Sequence, residues 1–174
     1  SYAPSDVGNS IGAALYVAHC IHDVERECSN NLSFIGPEFD NEEIIATLNR
    51  RKIAYRELAS PERTVAGLIA SGEIVAHFFG RMEFGERALG NRSILADPRD
   101  PEIKDRINSM IKYRESYRPF APAVLAKKAH EYFEVKPERS SRFMESVVPV
   151  KAKHRASLPG ITHVDGSGRL QTVE

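Results

Sequence analysis

Two cysteines, no net charge and no long apolar run are what this 174-residue chain offers where other proteins carry a disulfide framework, a charged surface or a membrane anchor. Cys20 and Cys28 are too few to staple a fold, and neither stands in a metal-ligating spacing such as C-x-x-C, so a reducing cytoplasm is the expected setting. No stretch approaches the roughly 18 apolar residues of a membrane span, and no charged leader precedes an apolar core. A soluble protein without a membrane partner is expected. Lys+Arg and Asp+Glu both number 24, so net charge gives no general attraction to nucleic acid, which is not an expected partner. The chain has no internal repeat or low-complexity segment, and neither a Walker A loop nor a dinucleotide fingerprint.

What is present suits a folded domain. Hydrophobic residues make up 41% of the chain, enough for a real core in one domain together with a fragment of a neighbour. The absence of an initiator methionine and a last segment that reads as a strand lead us to expect an excised piece of a longer protein.

Along the chain, residues 6 to about 22 read as a small-residue helix opened by a glycine turn, and residues 25–31 as a polar linker, with a second domain beginning near Leu32. Asp40 and Glu43 form a capping-box pattern for a helix to about Arg50. Ile53–Leu58 alternates as a strand, Ser60-Pro61 opens a helix to about Ala70, and residues 73–79 read as a buried strand with Phe78 and Phe79 in the core and His77 at a sheet rim. Further strands are expected at 93–96, 123–125 and 144–150, and after the turn at 164–169. Helices are expected at 101–111, with Ile103, Ile107 and Met110 on one side and Lys112 at its end, and at 127–133. Residues 136–142 and 151–160 read as polar loops. This is an α/β pattern.

The chemistry concentrates between Arg81 and Arg118, where nine of the 24 basic residues fall within 38 positions against seven acids. Gly80, Gly85 and Gly90 punctuate the segment Gly-Arg-Met-Glu-Phe-Gly-Glu-Arg-Ala-Leu-Gly-Asn-Arg-Ser-Ile-Leu. Such bends bring backbone N–H groups near an anion while arginine offers a fork of donors to phosphate oxygens. An anion site and a structural turn with surface arginines both fit the spacing. Arg87, between two bends, is the leading candidate. Arg92 with Ser93 either completes a phosphate cradle or caps Asp97, and Arg81 either binds an anion or pairs with Glu83 or Glu86. Lys112, Arg114 and Arg118 form a second basic stretch stiffened by Pro119 and Pro122; Glu115 could neutralise one of them, and Lys112 also suits a helix terminus. His163, Asp165 and Arg169 flank a Gly-Ser-Gly turn, where acid–base work, ligand orientation or plain turn formation are open. His19 and His22 lack the further ligands that a metal would need, and no metal site is assigned.

Residues Gly80–Arg99 and Arg114–Pro122 (Arg-Glu-Ser-Tyr-Arg-Pro-Phe-Ala-Pro) resemble the C-terminal region of NodU/CmcH-type O-carbamoyltransferases. The likeness extends to Ile35-Gly-Pro-Glu-Phe upstream and to Thr162-His-Val-Asp-Gly-Ser-Gly-Arg-Leu-Gln-Thr-Val downstream. It implies a YrdC-like domain, a twisted mixed sheet with flanking helices, over residues 32–174. Residues 1–31 would be the closing helix and linker of a sugar-kinase-like (ASKHA) N-terminal domain, covalently attached. The family resemblance implies that carbamoyl phosphate and ATP, with Mg²⁺, yield carbamoyladenylate, whose carbamoyl group passes to a hydroxyl in the N-terminal domain. The resemblance implies an iron site in that N-terminal domain alone. Arg87, Lys112 and Arg118 would be catalytic, and Asn91, Arg92, Ser93, Arg114, His163 and Arg169 would join them in binding. The family usually has Pro where Glu86 stands, and its Asn-Thr-Ser-Phe-Asn segment lies beyond Glu174. A noncatalytic module binding nucleotide or RNA, and a structural remnant, are the competing readings.

Overall fold

Asp40 and Glu43 cap each other reciprocally, as their spacing predicts: the Glu43 N–H donates to Asp40 Oδ1 at 2.8 Å, and the Asp40 N–H to the Glu43 carboxylate at 3.1 Å. The computed structural model describes residues 6–27, 33–115, 117–137 and 140–174. Cys28 and Leu32 lie outside the described residues. The first helix, α1 (Asp6–Tyr16), runs into a π turn at Val17–Ile21, close to the expected length. The capped helix is α2 (Asn41–Arg50), and Pro61, pre-set for the first helical turn, opens α3 (Pro61–Ala70). Then follow β1 (Val75–Phe78), β2 (Arg92–Leu95), α4 (Ile103–Ile107), β3 (Ala123–Leu125), α5 (Ala129–Tyr132), β4 (Ser146–Pro149), α6 (Ala152–Arg155) and β5 (Ser167–Val173).

The chain forms two units, Ser1–Thr64 with His77–Ser93, and Val65–Ala76 with Ile94–Glu174. Strands β1 and β2 make a two-stranded sheet. In the second unit β5 is the centre of a three-stranded mixed sheet, parallel to β3 (Ala123 opposite Gln171) and antiparallel to β4 (Val147 opposite Arg169). The class is thus a mixed α/β fold with small sheets. Leu170 and Val148 from the sheet pack with Ala129, Phe133, Val150 and Ile161 in a buried cluster. Each such side chain contributes about 1.5–3 kcal/mol when fully removed from water, alanine less. Among the described residues no helix is long and apolar enough to cross a membrane.

Four expectations are corrected. Residues 53–58 are exposed and join no strand, because alternation makes a strand only when a neighbour supplies the ladder. Phe78 and Phe79, expected in the core, are 51% and 69% exposed, since the β1–β2 ribbon has only two strands and Phe78 alternates to its outer face, where it meets the Phe39 ring. Met110 is exposed while Ile103 and Ile107 are buried: α4 widens into a π turn at Asn108–Lys112, which rotates Met110 off the apolar face. Residues 152–155, expected as loop, form the single helical turn α6.

Candidate functional site

The arginine loop between β1 and β2 is organised by a buried carboxylate. The Glu83 side chain is 0% exposed, and its Oε1 accepts the N–H groups of Leu89 at 2.7 Å, Asn91 at 2.8 Å and Arg92 at 3.2 Å. Its Oε2 takes Arg92 Nε at 2.8 Å, while Arg92 Nη2 donates to the Glu83 carbonyl at 2.9 Å. The glycine bends do gather backbone N–H groups onto an anion, as the sequence suggests, and that anion is the chain's own Glu83. Burial alone would raise the Glu83 pKa, but the Arg92 guanidinium and the backbone donors outweigh it and hold the carboxyl below its ordinary value.

The rest of the loop is equally knitted. The His77 Nδ1–H donates to the Gly90 carbonyl at 2.8 Å, the Asn91 amide to the Arg81 carbonyl at 2.6 Å, and the Gly90 N–H to the Ser93 hydroxyl at 3.1 Å. From upstream, the Gly36 N–H donates to the Met82 carbonyl at 3.0 Å and the Met82 N–H to the Pro37 carbonyl at 2.9 Å. A Cβ on Gly36 would stand 2.9 Å from the Met82 carbonyl oxygen, so only glycine permits this approach. Hence the Ile35-Gly-Pro stretch and the arginine loop act together within the first unit.

Asn91, Arg92 and Ser93 are therefore bonded into the scaffold. Arg87 is held differently: it lies between Gly85 and Gly90, whose φ angles of +95° and +129° belong to glycine, and among the described residues its guanidinium makes only a 3.8 Å ion pair with the adjacent Glu86. Arg81 pairs with Glu38 at 3.5 Å, neither of the partners expected for it. Arg99, and not Arg92, engages Asp97 through both carboxylate oxygens.

In the second unit, Lys112 ends the π turn, exposed, as its helix-end position predicts. Arg118 is neutralised by Glu115 at 2.9 Å. Arg114 donates through Nε to Asn108 Oδ1 at 2.9 Å and lies over the Phe120 ring at 4.4 Å. Sequence reasoning missed Asn108, which is buried although Lys104 and Lys112 stand four residues to either side of it, so no helical spacing signalled it. His163 Nδ1 is 3.4 Å from Asp165 Oδ1, but Asp165 chiefly builds the turn by accepting the Ser167 N–H and hydroxyl at 2.9 and 2.6 Å. Arg169 lies mid-β5 opposite Val147. A separate, mostly apolar cavity of about 380 Å³ in this unit is lined by Pro98, Pro122, Val124, Tyr132, Leu158 and Ile161 among others, and none of the expected site residues lines it.

Residues 66–174 match the family model described as carbamoyltransferase C-terminus. The chain is 42% identical to nodulation protein NolNO of Sinorhizobium fredii, covering 98% of this chain and 26% of that protein. It is 42% identical to nodulation protein NolO of Bradyrhizobium diazoefficiens, with 98% and 32% covered. It is 38% identical to nodulation protein U of Azorhizobium caulinodans, with 98% and 28% covered. The chain thus spans at most about a third of the length of these curated relatives.

Proposed function

Because the chain belongs to the carbamoyltransferase family through the match of residues 66–174 to its C-terminal model, we propose that it is the part that activates the carbamoyl group. In this reading it binds carbamoyl phosphate and ATP and joins the carbamoyl unit to AMP. Water cleaves the carbamoyl unit from its phosphate, releasing inorganic phosphate and leaving carbamate; a carbamate oxygen then becomes bonded to the α-phosphorus of ATP while the bond from this phosphorus to pyrophosphate breaks. A YrdC-like architecture for the domain, and the origin of α1 in a covalently linked sugar-kinase-like domain that passes the carbamoyl group to a hydroxyl, belong to the same proposal.

The observation that carries the reading is Arg87, a guanidinium held by a 3.8 Å pair with Glu86 on a loop where Glu83, Asn91 and Arg92 are bonded into the scaffold. Preorganised donors stabilise charge that develops on phosphoryl oxygens without first having to reorient. Arg87 is the residue of the first unit assigned to a phosphoryl group. In the second unit Lys112, Arg114 and Arg118 are assigned to phosphoryl groups as well, with Arg118 exchanging its exposed partner Glu115 for the ligand. His163 and Arg169 are assigned to ligand binding, and Asn91, Arg92 and Ser93 act by holding the loop. These donors fit polyphosphate: arginine and lysine pair with phosphoryl oxygens. Among the described residues no three His, Cys, Asp or Glu gather, so a magnesium ion entering with ATP would take its ligands largely from phosphates and water.

Thermal denaturation with ATP–Mg²⁺, with carbamoyl phosphate and with both tests the proposal, because a ligand that binds only the native state raises the melting temperature. The expected result is a rise that Arg87→Ala and Lys112→Ala abolish. An unchanged melting temperature at millimolar ligand would overturn it.

A further inference from the structure

Asn108 and Arg114 carry hydrogen-bond donors that no described residue accepts. Asn108 is 5% exposed, and its Oδ1 is taken by Arg114 Nε at 2.9 Å. That leaves Asn108 Nδ2 and Arg114 Nη2 buried and without an acceptor among the described residues. Buried donors are almost always paired, and leaving a charged one unpaired is especially costly. Two such donors on directly bonded side chains point to an acceptor that comes from outside the chain.

The local backbone supports the same conclusion. Asn108 opens the π turn, closed by a Tyr113 N–H bond to the Asn108 carbonyl at 2.6 Å, and Tyr113 then takes a left-handed conformation with φ of 47°. Wide turns are frequent at functional sites, and a left-handed non-glycine residue costs energy that the surroundings must offset. The guanidinium is also held in place by the Phe120 ring beneath it. Burial, and then the neighbouring Arg118, push the Arg114 pKa below its ordinary value, with Glu115 opposing; an anion at the free donors would relieve both effects.

We propose that the Asn108 amide and the Arg114 guanidinium form an oxyanion receptor for a phosphoryl group, which makes Asn108 a ligand-contacting residue. The inference rests on the proposed binding of carbamoyl phosphate, and it adds a residue and a pair of atoms to that site. A guanidinium supplies charge and direction, and the neutral amide beside it adds a donor without repelling the cation. Lys112, at the end of the same π turn, strengthens the local positive potential.

The test is calorimetric titration of carbamoyl phosphate, and separately of inorganic phosphate, into the full-length protein and its Asn108→Asp variant, with thermal denaturation of both free proteins. The substitution places a carboxylate against Arg114, so binding is expected to weaken about tenfold to a hundredfold while the melting temperature holds or rises. Undiminished binding by Asn108→Asp overturns the inference and leaves the carbamoyl phosphate reading standing. Failure of the unaltered protein to bind either ligand overturns both. Should the variant not fold, the Asn108 side-chain amide resonance of the unaltered protein decides: it moves on addition of carbamoyl phosphate, and a stationary resonance overturns the inference.

Discussion

Arg92 Nε meets the buried Glu83 carboxylate at 2.8 Å, and the same carboxylate takes the N–H groups of Leu89, Asn91 and Arg92. The loop is therefore folded around an internal anion. Donors that a glycine–arginine pattern would lend to a bound phosphate are already satisfied, and under the proposed function the external anion falls to Arg87.

Glu83→Ala leaves three backbone N–H groups and Arg92 Nε without their acceptor. Removing one partner of a buried pair costs about 3–5 kcal/mol, and partial exposure of Arg92 places the expected loss near the lower end. Urea denaturation checks this: the midpoint should fall with little change in slope. A midpoint equal to that of the unaltered protein would remove Glu83 from its place as the loop's anchor.

The same carboxylate makes stability depend on acid. Its folded pKa lies below the ordinary 4.5, so its contribution is complete above pH 4.5 and is lost as pH falls through the folded value. Unfolding free energy should decline on acidification below pH 4.5, and Glu83→Gln should flatten that part of the profile. An identical acid profile for the two proteins would contradict the assignment.

At the start of α2, Asp40→Ala removes the acceptor of the Glu43 N–H and should cost about 1 kcal/mol, with Asp40→Asn costing less. Paired melting curves measure the difference, and an Asp40→Ala protein as stable as the unaltered one would mean that the cap contributes nothing.

The Asp40 cap was legible in the sequence because both of its partners lie within one turn, and α3, β3, β4 and β5 were legible from Pro61, from turn residues and from apolar runs. Residues 53–58 misled because alternation carries no information on whether a partner strand exists. The π turn at Asn108 was invisible to a 3.6-residue period, and with it the exposure of Met110. For the site, the sequence marked the loop and Arg87 and left open whether Arg92 binds or caps. It could not show Glu83 closing on Leu89, Asn91 and Arg92, since bonds six to nine residues apart depend on the bends at Gly85 and Gly90. Arg81 and Glu38 likewise meet only because Gly36 and Pro37 pair with Met82.

Exchange of labelled pyrophosphate into ATP, measured on the full-length protein with and without carbamoyl phosphate, reports formation of the adenylate itself. Exchange should require carbamoyl phosphate and disappear in Arg87→Ala, whose melting temperature without ligand should match the unaltered protein because the Arg87 pair with Glu86 is a 3.8 Å surface contact. Exchange that is absent from the unaltered protein, or that survives the loss of Arg87, would overturn the assignment of carbamoyl activation to this chain.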